Sequence, residues 1–377
     1  MNLLRTRAVA KKEFLHIIRD TRSLILALAL PMLMILLFGY ALSLDVDQIP
    51  TAVLDQDKTP QSRELLARFQ ASRYFKVVKM LNDPGEMTDL MDHGKAVLSI
   101  VVAPDYARKL LTGREAQVQL VFDGSDSNTA SIAVGYADSV VQAYALELRD
   151  RFIEHASGFE MPRAVEPRLR VWYNSELKSK NYIVPGLIAV ILMIISALLT
   201  SLTIAREWEM GTMEQILSTP LRSAELVLGK MSAFFVVGLI DAVIAVTIGV
   251  LIFDVPFRGS LLFLFLSTCV FLFGALCWGI FLSAVARSQL LAFQMGILSS
   301  FLPAFLLSGF IFSIDNMPQV VQAISHIVPA RYFITLLKGI FLKGVGPYVL
   351  GTELIFLIAY CGLVFIGATR KVGARIA

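Results

Sequence analysis

The chain is poor in charge, in cysteine and in the motifs that mark enzymes. Only 17% of its 377 residues are charged, against about 25% in ordinary soluble domains. The net charge of +4 is small and its basic residues are spread rather than clustered, so nucleic acid is not an expected partner. Cys269, Cys277 and Cys361 all lie in apolar runs. Their spacing suits no metal, and none falls in the polar region where an exported disulfide would be expected. They read as small core residues. A phosphate-cradling GxxxxGK[ST] loop is missing. Gly229-Lys230 is the tempting fragment, but Ala224 stands where the first glycine belongs and Met231 follows the lysine. HExxH, a GxSxG elbow and a Ser/His/Asp grouping in the apolar runs are also lacking. The isolated His326, close to Pro329, reads as an interfacial hydrogen-bonding residue. The chain is therefore not expected to be an enzyme, and no catalytic, cofactor-binding or metal residue is assigned.

What it has in abundance is apolar sequence: 56% of residues are hydrophobic. A run of about 20 apolar residues crosses a bilayer as a helix. Six such runs occur, at 23–44, 183–204, 231–253, 261–285, 290–312 and 348–368. Ala41-Leu42-Ser43 offers the small residues of a signal cleavage site. The run before it is too long for a signal core of about 7–15 residues, so it is read as a retained first span. Residues 1–22 carry Arg5, Arg7, Lys11, Lys12, Arg19 and Arg22, with Ala10, Phe14, Ile17 and Ile18 on one helical face. This pattern predicts an amphipathic helix in the membrane interface, its cations near lipid head groups. Residues 313–347 are too apolar for a simple loop and are broken by Pro318 and Pro329. They read as helices lying at, or re-entering, the outer face.

Residues 45–182 differ in character. Short apolar runs at 51–54, 75–81, 96–102 and 118–122 read as strands, with helical patterns at 61–72, 84–93, 104–112 and 127–152. Alternation of this kind predicts a compact α/β domain able to bury its own core. The corner from Asp123 to Asn128 has the acidity of a calcium loop, but Gly135 and Tyr136 lie where the closing glutamate belongs, so a turn that caps the next helix is expected. The fold class is thus an α-helical polytopic membrane protein of six transmembrane helices, with an α/β domain inserted between the first and second. With the N-terminus inside, the short inner segments hold 13 Lys and Arg and the outer connections only four, Arg258, Arg331, Lys338 and Lys343. The positive-inside rule then places both termini, including the tail 369–377, in the cytoplasm and the α/β domain outside.

The stretch 205–230 is a polar, charge-rich interval between two spans. Thr212 and Gln215 have the spacing of a capping box, Met213, Ile216 and Leu217 share one side of a short helix, and Pro220 stops it. Ser223 is placed to cap the helix that follows. Arg206-Glu207, Glu209, Gly211-Thr212-Met213-Glu214, Leu217, Thr219-Pro220 and Glu225 through Gly229-Lys230 resemble the pattern of ABC-2 type transporter permeases. Lys12-Glu13-Phe14 with Ile18-Arg19-Asp20, and Ile327 to Tyr332 with Gly344 beyond, are similar to other parts of that family. The resemblance implies a type V exporter-like fold in a bacterial inner membrane. It makes Arg206, Glu207, Glu209, Gly211, Thr212, Met213, Glu214, Leu217, Pro220 and Glu225 the segment that couples to an ATP-binding cassette subunit. ATP and Mg would be bound there and not on this chain. A second permease copy or a sister permease is also implied, with drugs, lipids or other amphipathic solutes as the exported class. A large outer domain suits a periplasmic adaptor. The reading from another class is a membrane-anchored sensor, weakened by the few tens of inner residues available for an output domain.

Asp241 is the anomaly within the spans. It stands about ten residues into its run, hence about 15 Å deep. A carboxylate there costs about 2.5–3.5 kcal/mol, so it is expected to face protein or a wet cavity. A translocation-path group and a helix-packing contact are both open readings.

Overall fold

The computed structural model describes residues 2–42, 47–157, 172–174, 178–286 and 288–376. The end of the first apolar run at 43–44 and Arg287 of the inner charge tally lie outside these. The chain divides into two compact units, Met1–Ser43 with Arg170–Ala377, and Leu44–Leu169.

The larger unit opens with α1 (Leu3–Arg19) and α2 (Thr21–Ala41). The Asn2 side chain caps α1 by accepting from Leu4 N at 3.0 Å, and Asp20 separates the two helices. Pro31 lies inside α2.

The smaller unit runs β1 (Ile49–Asp55), α3 (Pro60–Ala71), β2 (Phe75–Leu81), α4 (Pro84–Asp92), β3 (Leu98–Val102), α5 (Tyr106–Leu111), β4 (Val118–Phe122) and α6 (Ser127–Ser157). The strands form one sheet in the order β2-β1-β3-β4. Both neighbours of β1 are parallel to it, while β4 runs antiparallel to β3. Alternate residues supply the two faces: Val53, Leu98 and Ile100 pack with Leu65, Phe69 and Ala137, while Ala52 and Leu54 pack with Leu81, Ala96, Met87 and Leu90. Burial on both faces is what helix crossovers impose on parallel strands. Helix α3 starts at Pro60, where a missing N–H costs nothing, and Thr59 and Ser62 cap each other's backbone N–H at 3.1 and 3.3 Å. The acidic corner is a turn: Asp123 Oδ1 accepts from Ser125 N at 2.9 Å.

The larger unit resumes with α7 (Ser179–Glu209), α8 (Met213–Leu217), α9 (Ser223–Leu251), α10 (Leu261–Val285) and α11 (Gln289–Leu306). After a 3₁₀ turn come α12 (Gln319–Ser325), α13 (Pro329–Lys338), a π turn at Gly339–Lys343 and α14 (Pro347–Ile376). Helix α7 is the hub, with 22 of its 31 residues buried. Its approach to α10 is close, because a Cβ on Gly279 would collide with Thr200 and the Ala197 carbonyl. Polar bonds reinforce the contact: Thr200 Oγ1 donates to Leu276 O at 3.0 Å, and Ser283 Oγ accepts from Ile204 N and Ala205 N at 2.9 Å each. Small residues and hydroxyls at a helix contact are the devices used where the surroundings are apolar.

Among the described residues, five helices are long and apolar enough to cross a membrane: α7, α9, α10, α11 and α14. The count rises to six if the pair from Gln319 to Lys343, bent by 83°, forms one broken span. Helix α2 contributes a shorter apolar stretch, Ala27–Ala41. The bend falls where the sequence puts Pro329: proline opens α13 and disfavours helix in the residue before it.

Candidate functional site

The loop between α7 and α9 is a built structure. Gly211 lets the chain leave α7, with φ of +71°, a left-handed conformation that glycine adopts without strain. Helix α8 follows at once. The expected capping box is not formed: Thr212 is helical itself and makes no side-chain cap. Its hydroxyl instead donates to the Glu207 carboxylate and, at 3.3 Å, to the Glu207 carbonyl. A hydroxyl can donate and accept at once, so this bond does not itself exclude the cap; the helical backbone of Thr212, φ −77° and ψ −13°, does, because a capping residue is extended. Capping of α9 also differs from the expectation. Ser223 lies within its first turn, and Glu225 does the work: its carboxylate accepts from Arg222 N at 3.1 Å and from Asn2 N at 2.6 Å.

Behind the loop lies a buried ion-pair network. Lys230 Nζ donates to Glu13 Oε1 at 2.7 Å and to Glu207 Oε1 at 3.0 Å. Lys12 Nζ adds a third bond, to Glu207 Oε1 at 2.7 Å. Lys230 is 1% exposed, Glu13 6% and Glu207 9%. Three elements distant in sequence, α1, α7 and α9, are thus joined at one point. The backbone approach is equally close, since a Cβ on Gly229 would stand 2.6 Å from the Val9 Cβ. The start of α11 is tied in as well: Gln289 N donates to Glu209 Oε1 at 2.7 Å, and Arg206 Nε donates to Gln289 Oε1 at 3.3 Å.

The residues singled out from sequence therefore divide. Glu207, Met213 and Glu225 are buried; Met213 packs with Leu226, Val227, Leu276 and Ile280. Arg206 and Thr212 are half-buried, while Glu209, Gly211, Glu214 and Pro220 are exposed. The backbone of Leu217 closes α8, but its side chain lies outside the described residues. Asp241, in α9, is 1% exposed. Neither of its carboxylate oxygens has a hydrogen-bond partner among the described residues. It sits one turn beyond Gly238, where a Cβ would face Leu272 of α10 at 3.2 Å and Ser196 Oγ of α7 at 3.8 Å.

The model of the ABC-2 family transporter protein matches residues 21–370, nearly the whole chain. The chain belongs to this family. As an ABC-2 permease it is 35% identical over 366 residues to the probable multidrug ABC transporter permease YbhS of Escherichia coli (strain K12), covering 97% of this chain and 95% of that one. It is 33% identical over 333 residues to YbhR of the same strain, a probable multidrug ABC transporter permease too, covering 88% of each. The inner membrane transport permease YhhJ is 26% identical over 362 residues, covering 92% of this chain and 93% of its own.

The structure brings to this site three residues outside the expected coupling set, Lys12, Glu13 and Lys230. In the sequence Lys230 stands in a broken phosphate-loop fragment, in the family likeness and among the inner basic residues, Lys12 among the interfacial cations and in the likeness, and Glu13 in the likeness alone. A signal existed: Lys230 borders a long apolar run, and a charge at such a place is retained when a partner compensates it. Beside the network the permease also has a cavity of about 390 Å³, reached by residues of α1, α2, α7, α9 and α11.

Proposed function

We propose that this permease exports amphipathic solutes across a bacterial inner membrane, powered by a separate ATP-binding subunit that docks on the loop between α7 and α9. The carrying observation is the division of that loop. Its outer surface, with Met210, Gly211, Glu214, Gln215 and Pro220, is exposed, whereas its inner side is held by Thr212, bonded to Glu207 of α7, and by Met213, packed on α9 and α10. A short helix on a rigid mount can pass a displacement to the spans; a slack linker cannot. ATP and Mg belong to the partner in this reading, which agrees with the broken phosphate-loop fragment at Ala224–Met231. The excess of inner Lys and Arg supports cytoplasmic termini and an outer α/β unit. A second permease, identical or a sister chain, completes the transporter, and a periplasmic adaptor would meet the α/β unit.

The printed description of YbhS and YbhR as multidrug permeases supports amphipathic drugs as the solute class. Asp241 is the group we place on the path. An acid buried without a partner is costly to retain for packing alone.

The docking face is tested by copurification. Glu214→Arg reverses one charge on the exposed side of α8 and should reduce recovery of the ATP-binding subunit. Asp315→Arg, an equal reversal on an exposed residue elsewhere, should leave it unchanged. Equal recovery with both variants would move the docking site away from α8.

A further inference from the structure

The cavity beside the ion-pair network has two poles. One is apolar, walled by Leu24 of α2, Leu198, Leu199 and Leu202 of α7, Phe234 of α9 and Phe293 of α11. The other is polar, with Lys12, His16 and Arg206 at its edge and Glu13, Glu207 and Lys230 behind them. Its volume of about 390 Å³ falls in the range of small-ligand pockets, about 300–1,000 Å³.

The hydrogen-bond inventory gives the polar pole its preference. The anions are already engaged: Glu13 accepts from Lys230, and Glu207 accepts from Lys12, Lys230 and Thr212. Asp20, also on the lining, has a partner of its own. The donors are not used up. Arg206 spends only Nε, on Gln289, which leaves both Nη groups without a partner among the described residues. Lys12 uses one of its three N–H donors, and the His16 ring makes no bond among the described residues. A guanidinium with its outer edge open matches a phosphate or carboxylate in a two-point contact.

We infer that this cavity binds one amphiphile with an anionic head, the head against Arg206 and Lys12 and an alkyl chain along Leu198, Leu199 and Phe234. The head chemistry is shared by a membrane phospholipid and a free fatty acid. Seated there, the molecule lies between α1 and the end of α7, next to the carboxylate that holds Lys12, Lys230 and Thr212 together. The site is intramolecular and does not depend on which solute is exported.

The test uses the full chain in neutral detergent, loaded with phosphatidylglycerol or with diacylglycerol of the same chain length, and native mass spectrometry of what is retained. Retention of one phosphatidylglycerol per chain, in preference to diacylglycerol, is expected. Arg206→Gln should lower retention about tenfold, the size of one lost charge-assisted hydrogen bond. Leu199→Trp should block the apolar pole and lower it as well. Competition on the wild-type chain separates the sources without relying on either variant. Displacement by laurate shows that a free anionic amphiphile shares the site, and persistence against laurate assigns it to the bilayer lipid. Equal retention of diacylglycerol would overturn the inference, as would displacement by inorganic phosphate alone, or retention unchanged in both variants.

Discussion

Lys230→Met removes the one cation that joins Glu13 to Glu207 and keeps nearly the same volume. Lys230 is 1% exposed and bonds the two carboxylates at 2.7 and 3.0 Å. Removing one partner of a buried pair costs about 3–5 kcal/mol, because the other charge stays buried and unpaired. Glu207 keeps Lys12, whose side chain is 56% exposed, a pair of the kind that contributes about 0–1 kcal/mol. Glu13 keeps no cation among the described residues. The lower end of the range, about 3 kcal/mol, is therefore expected, and it should act on the docking of α1 rather than on the spans. Local opening of α1 should become about 100-fold more frequent. Hydrogen exchange of the amides of residues 6–15, measured by mass spectrometry on the detergent-solubilised chain, reads this directly. Glu13→Leu combined with Lys230→Met should recover most of the protection, since an apolar replacement of a buried pair is often neutral. An exchange rate changed by less than about threefold in Lys230→Met, under 1 kcal/mol, would refute the view that this network holds α1.

Three other expectations use different observations. Gly229→Leu leaves every charge in place but drives a side chain into Val9; overpacking costs about 1–3 kcal/mol, so exchange in α1 should rise here too, without any dependence on salt. A cysteine at Ser125 should react with an impermeant thiol reagent added from outside and one at Ser218 should not, and the reverse pattern would overturn the orientation argued from the basic residues. Asp241→Asn should assemble normally while export falls, whereas Asp241→Leu tests packing. Interhelical hydrogen bonds in membranes average only about 0.6 kcal/mol, so wild-type export by the Asn variant across about pH 5–8 would remove Asp241 from the mechanism.

The membrane character of the chain was legible because bilayer thickness translates directly into run length: the apolar runs at 183–204 and 261–285 each lie within one helix, and 231–253 outruns α9 by two residues. The family likeness read from residues 205–230 is upheld by the match over 21–370. Local signals carried α8 as well: Pro220 ends the interval that begins at Thr212, and the helix occupies Met213–Leu217 between them. The expected cap failed because the backbone of Thr212 is helical, where a capping residue is extended; its hydroxyl turns back five residues to Glu207. The ion-pair network was out of reach because its partners are far apart in sequence. Lys12 and Glu207 stand 195 positions apart, and Lys230 and Glu13 217 apart, so no periodicity pairs them. The buried side of Met213 was visible only as one apolar residue on a short helix; which body covers it depends on α9 and α10.

In this mechanism the energy source is a second polypeptide seated on α8. A photo-crosslinking amino acid at Gln215, an exposed position of that helix, tests it when native membranes are irradiated and then labelled with azido-ATP. The expected product is an adduct whose partner carries the ATP label, formed with the probe at Gln215 and not with the probe at Ser125. An ATP label on this chain itself, or an ATP-binding partner captured from Ser125 instead of Gln215, would contradict it.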